Sequence, residues 1–178
     1  MPDFVANQQF TNLIEARIMA REEQDREDLL REAVALVERF EIELAGGRRV
    51  VVGFRADGCA SVYLDGDPAW HFNTRGQLRR AFVDGFLYKA ERGQLVRLER
   101  RRSADAVELV RHACTADETA ALVARLADEL TTLANVLASG EYQLIGQMPD
   151  DGAVVERARD WMATLPRPIE VAAGPRAG

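Results

Sequence analysis

The feature that most constrains this chain is a regular beat of turns. Glycine recurs at 58, 66, 76, 85 and 93, at spacings of 8, 10, 9 and 8 residues. Its neighbours are turn formers: Asp57-Gly58, Asp65-Gly66-Asp67-Pro68, Arg75-Gly76, Asp84-Gly85 and Arg92-Gly93. Tight hairpin turns need φ > 0, which glycine adopts without a Cβ clash. Segments of this length between such turns are consecutive antiparallel strands. Their apolar members are Val62 and Leu64, Trp70 and Phe72, Leu78 and Phe82, Phe86 and Tyr88, then Leu95 or Val96 with Leu98.

The strands begin earlier than the turn beat. Near Glu38 the apolar period changes from 3.6 to 2: Phe40, Ile42 and Leu44 alternate with Glu41 and Glu43. Gly46-Gly47 follows, then Val50, Val52 and Phe54, which reads as a hairpin. Residues 104–114 fit either a further strand or a short helix. The expectation is seven or eight strands in sequence, forming a strongly curled sheet or an up-and-down barrel. Closure is one way to remove exposed edges.

Helices flank this meander. From about Gln8 to Val37 the apolar residues fall at helical spacing, as Phe10, Leu13, Ile14 and Ile18, then Leu29, Leu30, Ala33, Val34 and Val37. The polar run 21–28 leaves open whether this is one helix or two. Thr115-Ala116-Asp117-Glu118 is a capping box opening a second helix with a stripe of Leu122, Leu126, Leu130, Leu133 and Leu137. Gly140 ends it. Asp150 or Asp151 caps a last helix, in which Val154, Ala158, Trp161 and Leu165 share a face. The fold class is therefore α+β, organised as an N-terminal helical segment (1–37), the meander (38–114), two C-terminal helices packed on it (115–166) and a disordered tail (167–178).

Composition narrows the function classes. Of 178 residues 47% are hydrophobic, enough for a full core. No apolar run is long enough to span a bilayer. The start, Met1-Pro2-Asp3-Phe4, lacks a basic region followed by an apolar stretch, so a cytoplasmic location and no membrane association are expected. Cys59 and Cys114 do not make a disulfide framework.

The charge is unevenly laid out. Net charge is −6. It divides as −6 over residues 1–45, zero over 46–74, +6 over 75–102 and −6 over 103–178. The acidic flanks can neutralise the basic middle, which is the ordinary reading of charge blocks. The sharper reading is a surface for an anionic partner or nucleic acid. Its residues are Arg75, Arg79, Arg80, Lys89, Arg97 and Arg100. Alternation puts Arg79 and Arg80 on opposite faces, with one toward the core side or a cavity mouth.

Catalytic chemistry finds no motif. The serines lack a G-x-S-x-G context, and Cys114 beside His112 has no third group to orient it. His71, His112 and the two cysteines lack the spacing of a zinc site, so no metal and no cofactor are expected. A ligand site at a barrel mouth would use Asn73, Tyr88 and His112, with Arg80 beside them.

The run Phe72-Asn73-Thr74-Arg75-Gly76-Gln77-Leu78-Arg79-Arg80-Ala81-Phe82-Val83-Asp84-Gly85, followed by Tyr88-Lys89-Ala90-Glu91-Arg92-Gly93, resembles a group of uncharacterised bacterial proteins with no assigned activity. The similarity covers about residues 40–137 and implies a bacterial, intracellular setting and no catalytic residue. The expected function is a non-enzymatic binding or interaction protein using the arginine-bearing strands, with a protein partner or self-association. The alternatives are a nucleic-acid-associated protein using the same patch, and a carrier or enzyme with a site at the barrel mouth.

Overall fold

Three two-residue turns set the geometry of the sheet. Asp65-Gly66, Asp84-Gly85 and Arg92-Gly93 each have φ > 0 at both residues, the type I′ pattern that matches the right-handed twist of flanking strands. A computed structural model describes residues 31–32, 34–102, 104–146, 149–166 and 168–173. Nine strands are present: β1 (Leu36–Leu44), β2 (Arg49–Arg55), β3 (Ala60–Leu64), β4 (Asp67–Phe72), β5 (Leu78–Val83), β6 (Phe86–Glu91), β7 (Gln94–Arg102), β8 (Val107–Ala113) and β9 (Tyr142–Ile145). The helices are α1 (Ala116–Ser139) and α2 (Asp151–Thr164).

The sheet is one antiparallel meander, in the order β8-β7-β6-β5-β4-β3-β2-β1-β9. This corrects the expected count of seven or eight strands and, of the two alternatives of a curled sheet or an up-and-down barrel, excludes the barrel. Closure would require the free edge of β1 to meet β8. That edge is instead taken by β9, which arrives after α1 and pairs from Glu41↔Ile145 to Leu44↔Tyr142. The sheet therefore stays open, with β8 and β9 as its edges. Residues 107–113 are a strand, which settles the alternative left open for that stretch.

Three bulges break the alternation, at Val37, Ala69 and Arg79. The third matters most. Phe72 pairs with Leu78, and His71 pairs with Arg80. Leu78 and Ala81 are both fully buried, although three residues apart. The bulge absorbs the odd residue, so neither arginine is driven into the core. The expectation that Arg79 and Arg80 take opposite faces by simple alternation is corrected on this ground.

One face of the sheet carries the main core. Phe40, Ile42, Val50, Val52, Phe54, Val62, Trp70 and Phe72 pack with Val123, Leu126, Leu130, Leu133 and Leu137 of α1, and with Val154, Ala158 and Met162 of α2. Trp161 stands edge-on to Phe72 and Phe54, at 5.2 and 5.8 Å between ring centres. The capping box of α1 forms as read: Glu118 N–H donates to Thr115 Oγ1 at 3.1 Å, and Thr115 N–H donates to Glu118 Oε1 at 3.2 Å. A pair of this kind contributes about 1 kcal/mol. Asp150 sits at the start of α2 without a side-chain cap bond.

The ends differ from expectation in two places. The N-terminal helix lies almost wholly outside the described residues. Its described end, at Arg31, Glu32 and Val34, is helical, and β1 starts at Leu36. Residues 168–173, expected in a disordered tail, lie against the sheet. Leu78 N–H donates to Glu170 O, and Ala172 N–H donates to Leu78 O. Ile169 and Ala172 are buried there. The rest of the expected tail, 174–178, lies outside the described residues. No described helix is long and apolar enough to cross a membrane.

Candidate functional site

The second face of the sheet, away from α1 and α2, carries a polar ladder. Register alone places Arg39, Gly53, Ser61, His71, Arg80, Lys89 and Val96 in one row across β1 to β7. The centre of this row is buried: Ser61 is 3% exposed and His71 8%. Burying such groups is costly unless each is hydrogen-bonded.

They are bonded to one another. Ser61 Oγ and His71 Nδ1 are 2.8 Å apart, and His71 Nε2 and Arg80 Nη2 are 3.0 Å apart. The same Nη2 donates to Glu32, whose carboxylate lies 3.8 Å from His71 Nε2. Tyr63 stands edge-on to His71. Direction follows from valence. A guanidinium can only donate, so His71 Nε2 accepts. The proton of the neutral ring is then on Nδ1, which donates to Ser61 Oγ. Ser61 is therefore an acceptor from His71 and is not activated by it. A general base needs an unprotonated nitrogen facing the hydroxyl. The arrangement has the members of a Ser–His pair with the opposite polarity.

Electrostatics agree with this assignment. Burial first, then the positive fields of Arg80, Arg79 and Arg55, hold the His71 imidazole well below its ordinary value of 6.5. Burial also pushes the Tyr63 phenol well up. Because folded His71 binds its proton less readily than unfolded His71, the unfolded state takes up more protons below about pH 6.5. Stability is then full above that pH and falls on acidification, by up to about 1.4 kcal/mol per pH unit. Urea denaturation at pH 7, 6 and 5 should show this slope, and His71→Gln should flatten it. An equal slope in the variant would assign it to another group.

The expected contact residues fall in several environments. Arg80 is committed to Glu32 and His71. Lys89, its register partner, is exposed on the same face. Arg79 is exposed at the bulge, and Arg75 is exposed in the β4–β5 turn. Arg97 lies on the other face, opposite Tyr88 and His112 in register, with its guanidinium 4.7 Å from the centre of the Phe86 ring. Arg100 follows on β7, facing Leu109 of β8 in register.

The residues expected at a barrel mouth separate in the same way. Tyr88 and His112 flank Arg97, and His112 Nε2 is 2.9 Å from Glu99 Oε2. Asn73 is occupied within its turn: it accepts from the backbone N–H of Arg75 and Gln77 and donates to Gln77 Oε1. Register also puts His71 and His112 on opposite faces of the sheet. Burial raises both thiols, Cys59 and Cys114, above the usual cysteine range, so they stay protonated and weakly nucleophilic. Among the described residues no three His, Cys, Asp or Glu side chains are grouped to hold a metal ion.

Sequence reading missed the buried ladder. Ser61 and His71 looked like isolated polar residues, because their pairing depends on register across a bulged hairpin. Glu32 carried no signal, being one of many acids in a helical stretch.

The arginines sort by partner. Among the described residues, Arg48, Arg49, Arg55, Arg80, Arg101, Arg111, Arg125, Arg157 and Arg159 each have a carboxylate within 4 Å. Arg75, Arg79, Lys89, Arg92 and Arg97 have none among the described residues. All five fall between positions 75 and 97. No family model, curated protein or solved structure matches this chain.

Proposed function

We propose that this chain is a non-enzymatic binding module that contacts an acidic protein segment through Arg75, Arg79 and Lys89. The observation that supports this most directly is the sorting of the cations. Five described cations between positions 75 and 97 have no carboxylate within 4 Å among the described residues, while most of the described arginines outside that stretch do. An uncompensated cation at a surface raises the local concentration of an anionic partner and speeds its encounter. The polarity of the Ser61–His71 pair favours a structural use of that cluster over a catalytic one.

The test uses two probes, a fluorescent 20-residue Glu-rich peptide and a single-stranded 20-nucleotide DNA. The peptide should bind the full chain in 50 mM salt and weaken about tenfold or more by 500 mM, because exposed charges are screened. Arg79→Glu with Lys89→Glu should weaken it about tenfold, equivalent to about 1.4 kcal/mol. Both positions are exposed, so folding should be unaffected. Preferential binding of the DNA would move the reading to nucleic acid. Peptide binding indifferent to salt and to charge reversal would end it.

A further inference from the structure

Strand β8 is the longer of the two sheet edges, and it lacks the usual protection against pairing. Cys114 N–H donates to Leu95 O at 2.9 Å, and the register runs on from Val96↔Ala113 to Arg102↔Val107 without a shift. In an antiparallel ladder the bonded residues alternate along the strand. Glu108, Val110 and His112 therefore turn their backbone groups to β7. Val107, Leu109, Arg111 and Ala113 turn theirs outward, where no strand pairs with them among the described residues. Edge strands are ordinarily guarded by a bulge, a proline, an edge lysine or a covering loop. β8 has neither bulge, proline nor lysine. Glu108, Leu109, Arg111 and Ala113 are all exposed, Leu109 at 49%.

We infer that β8 docks a second copy of this chain, the two β8 strands pairing antiparallel about a two-fold axis at Val110 and joining the two sheets into one. The strand is complementary to itself in that register. The axis sets Val107 opposite Ala113 and Leu109 opposite Arg111. Every outward residue then meets an outward residue of the copy, which gives about eight backbone hydrogen bonds. On the alternate positions the same register sets Glu108 opposite His112 and Val110 opposite itself. Directly opposed side chains stabilise a strand pair, and like charges there destabilise it. An axis at Arg111 would oppose two arginines. An axis at Leu109 would set Ala113 opposite Asp105, beyond the strand. Pairing of β8 with the β9 edge of the copy has only four residues to use, and it would propagate without closing. One strand pair is a small interface, so the dimer is weak and depends on concentration.

The inference is separate from the acidic-peptide reading, and its test uses the full chain alone. In sedimentation equilibrium the mass should rise from one 19.8 kDa chain toward two, and no further, as protein reaches about 1 mM. Amide hydrogen exchange locates the contact. Leu109 and Arg111 should exchange several-fold more slowly at high concentration than at low, while Val110 and His112, bonded to β7 in both states, should not change. Substitution at the exposed Leu109 tests the register. Leu109→Glu places a carboxylate opposite Arg111 twice per dimer, and Leu109→Arg places a second guanidinium there. Arg111 also contacts Glu91, but its guanidinium has five donors and its side chain is 48% exposed. The Glu variant should dimerise about tenfold more tightly than the Arg variant. A chain that stays monomeric at that concentration overturns the inference, as does a mass that climbs past two. So does a dimer without added protection at Leu109 and Arg111. Equal affinities in the two variants would overturn the register at Val110 and reduce the contact to an apolar one.

Discussion

Replacing Phe72 with alanine should destabilise the fold by about 3–5 kcal/mol. Phe72 is fully buried at the end of β4, and its ring meets Trp161 of α2 at 5.2 Å. The change removes apolar area, an edge-to-face ring pair and the filling of a packed layer. Trp161 cannot collapse into the space, because its other edge contact is with Phe54 at 5.8 Å. The residual cavity therefore adds its own cost to the transfer term. In a chain of this length the melting temperature should fall by roughly 10 °C or more. Urea denaturation measures the free energy directly. Phe86→Ala is the control: Phe86 is 36% exposed at the sheet surface, so its loss should stay within about 1 kcal/mol. Similar losses in the two variants would show that α2 does not anchor on β4 as described.

Phe72 also shows which part of the fold could be read from the sequence. The turn beat is a local signal, because a type I′ turn needs φ > 0 at its two central residues wherever they sit. Asp65-Gly66, Asp84-Gly85 and Arg92-Gly93 therefore announced their hairpins. The capping box at Thr115 and the leucine stripe of α1 are equally local. What stayed hidden depends on non-local pairing. The four residues of β9 are too short to show a period, yet they decide whether the sheet is open or closed. The bulge at Arg79 has no composition signal, yet it decides the face of every later residue on β5.

The site was legible in the same uneven way. Arg80 and Lys89 stood out by charge, and register makes them partners. What charge could not show is that Arg80 is already spoken for. The expectation of neutralising acidic flanks holds at this position through Glu32, and the neighbouring Arg79, Lys89 and Arg97 remain without a described counter-ion. One basic block thus contains both a structural arginine and candidate contact residues. Charge counting treats them alike, and burial separates them.

That separation can be measured at Arg80. Arg80→Met should cost about 2–3 kcal/mol. Breaking a buried ion pair by removing one member costs about 3–5 kcal/mol, because the other charge is left uncompensated. The Glu32 side chain is 31% exposed, so water recovers part of that loss. The remainder includes the stranded Nε2 acceptor of His71. If the loss comes from an abandoned charge, then adding Glu32→Gln to Arg80→Met should return about 1 kcal/mol, and the two substitutions will be strongly non-additive. Additive losses would instead make the arginine's apolar stem the stabilising part. The imidazole of His71 gives an independent reading. Burial is the first cause of its lowered proton affinity and Arg80 the second, so the Met variant should titrate His71 at a higher pH than wild type, though still below 6.5. An unchanged His71 titration in the variant would place Arg80 outside the ladder, and the polarity assigned to Ser61 and His71 would fall with it.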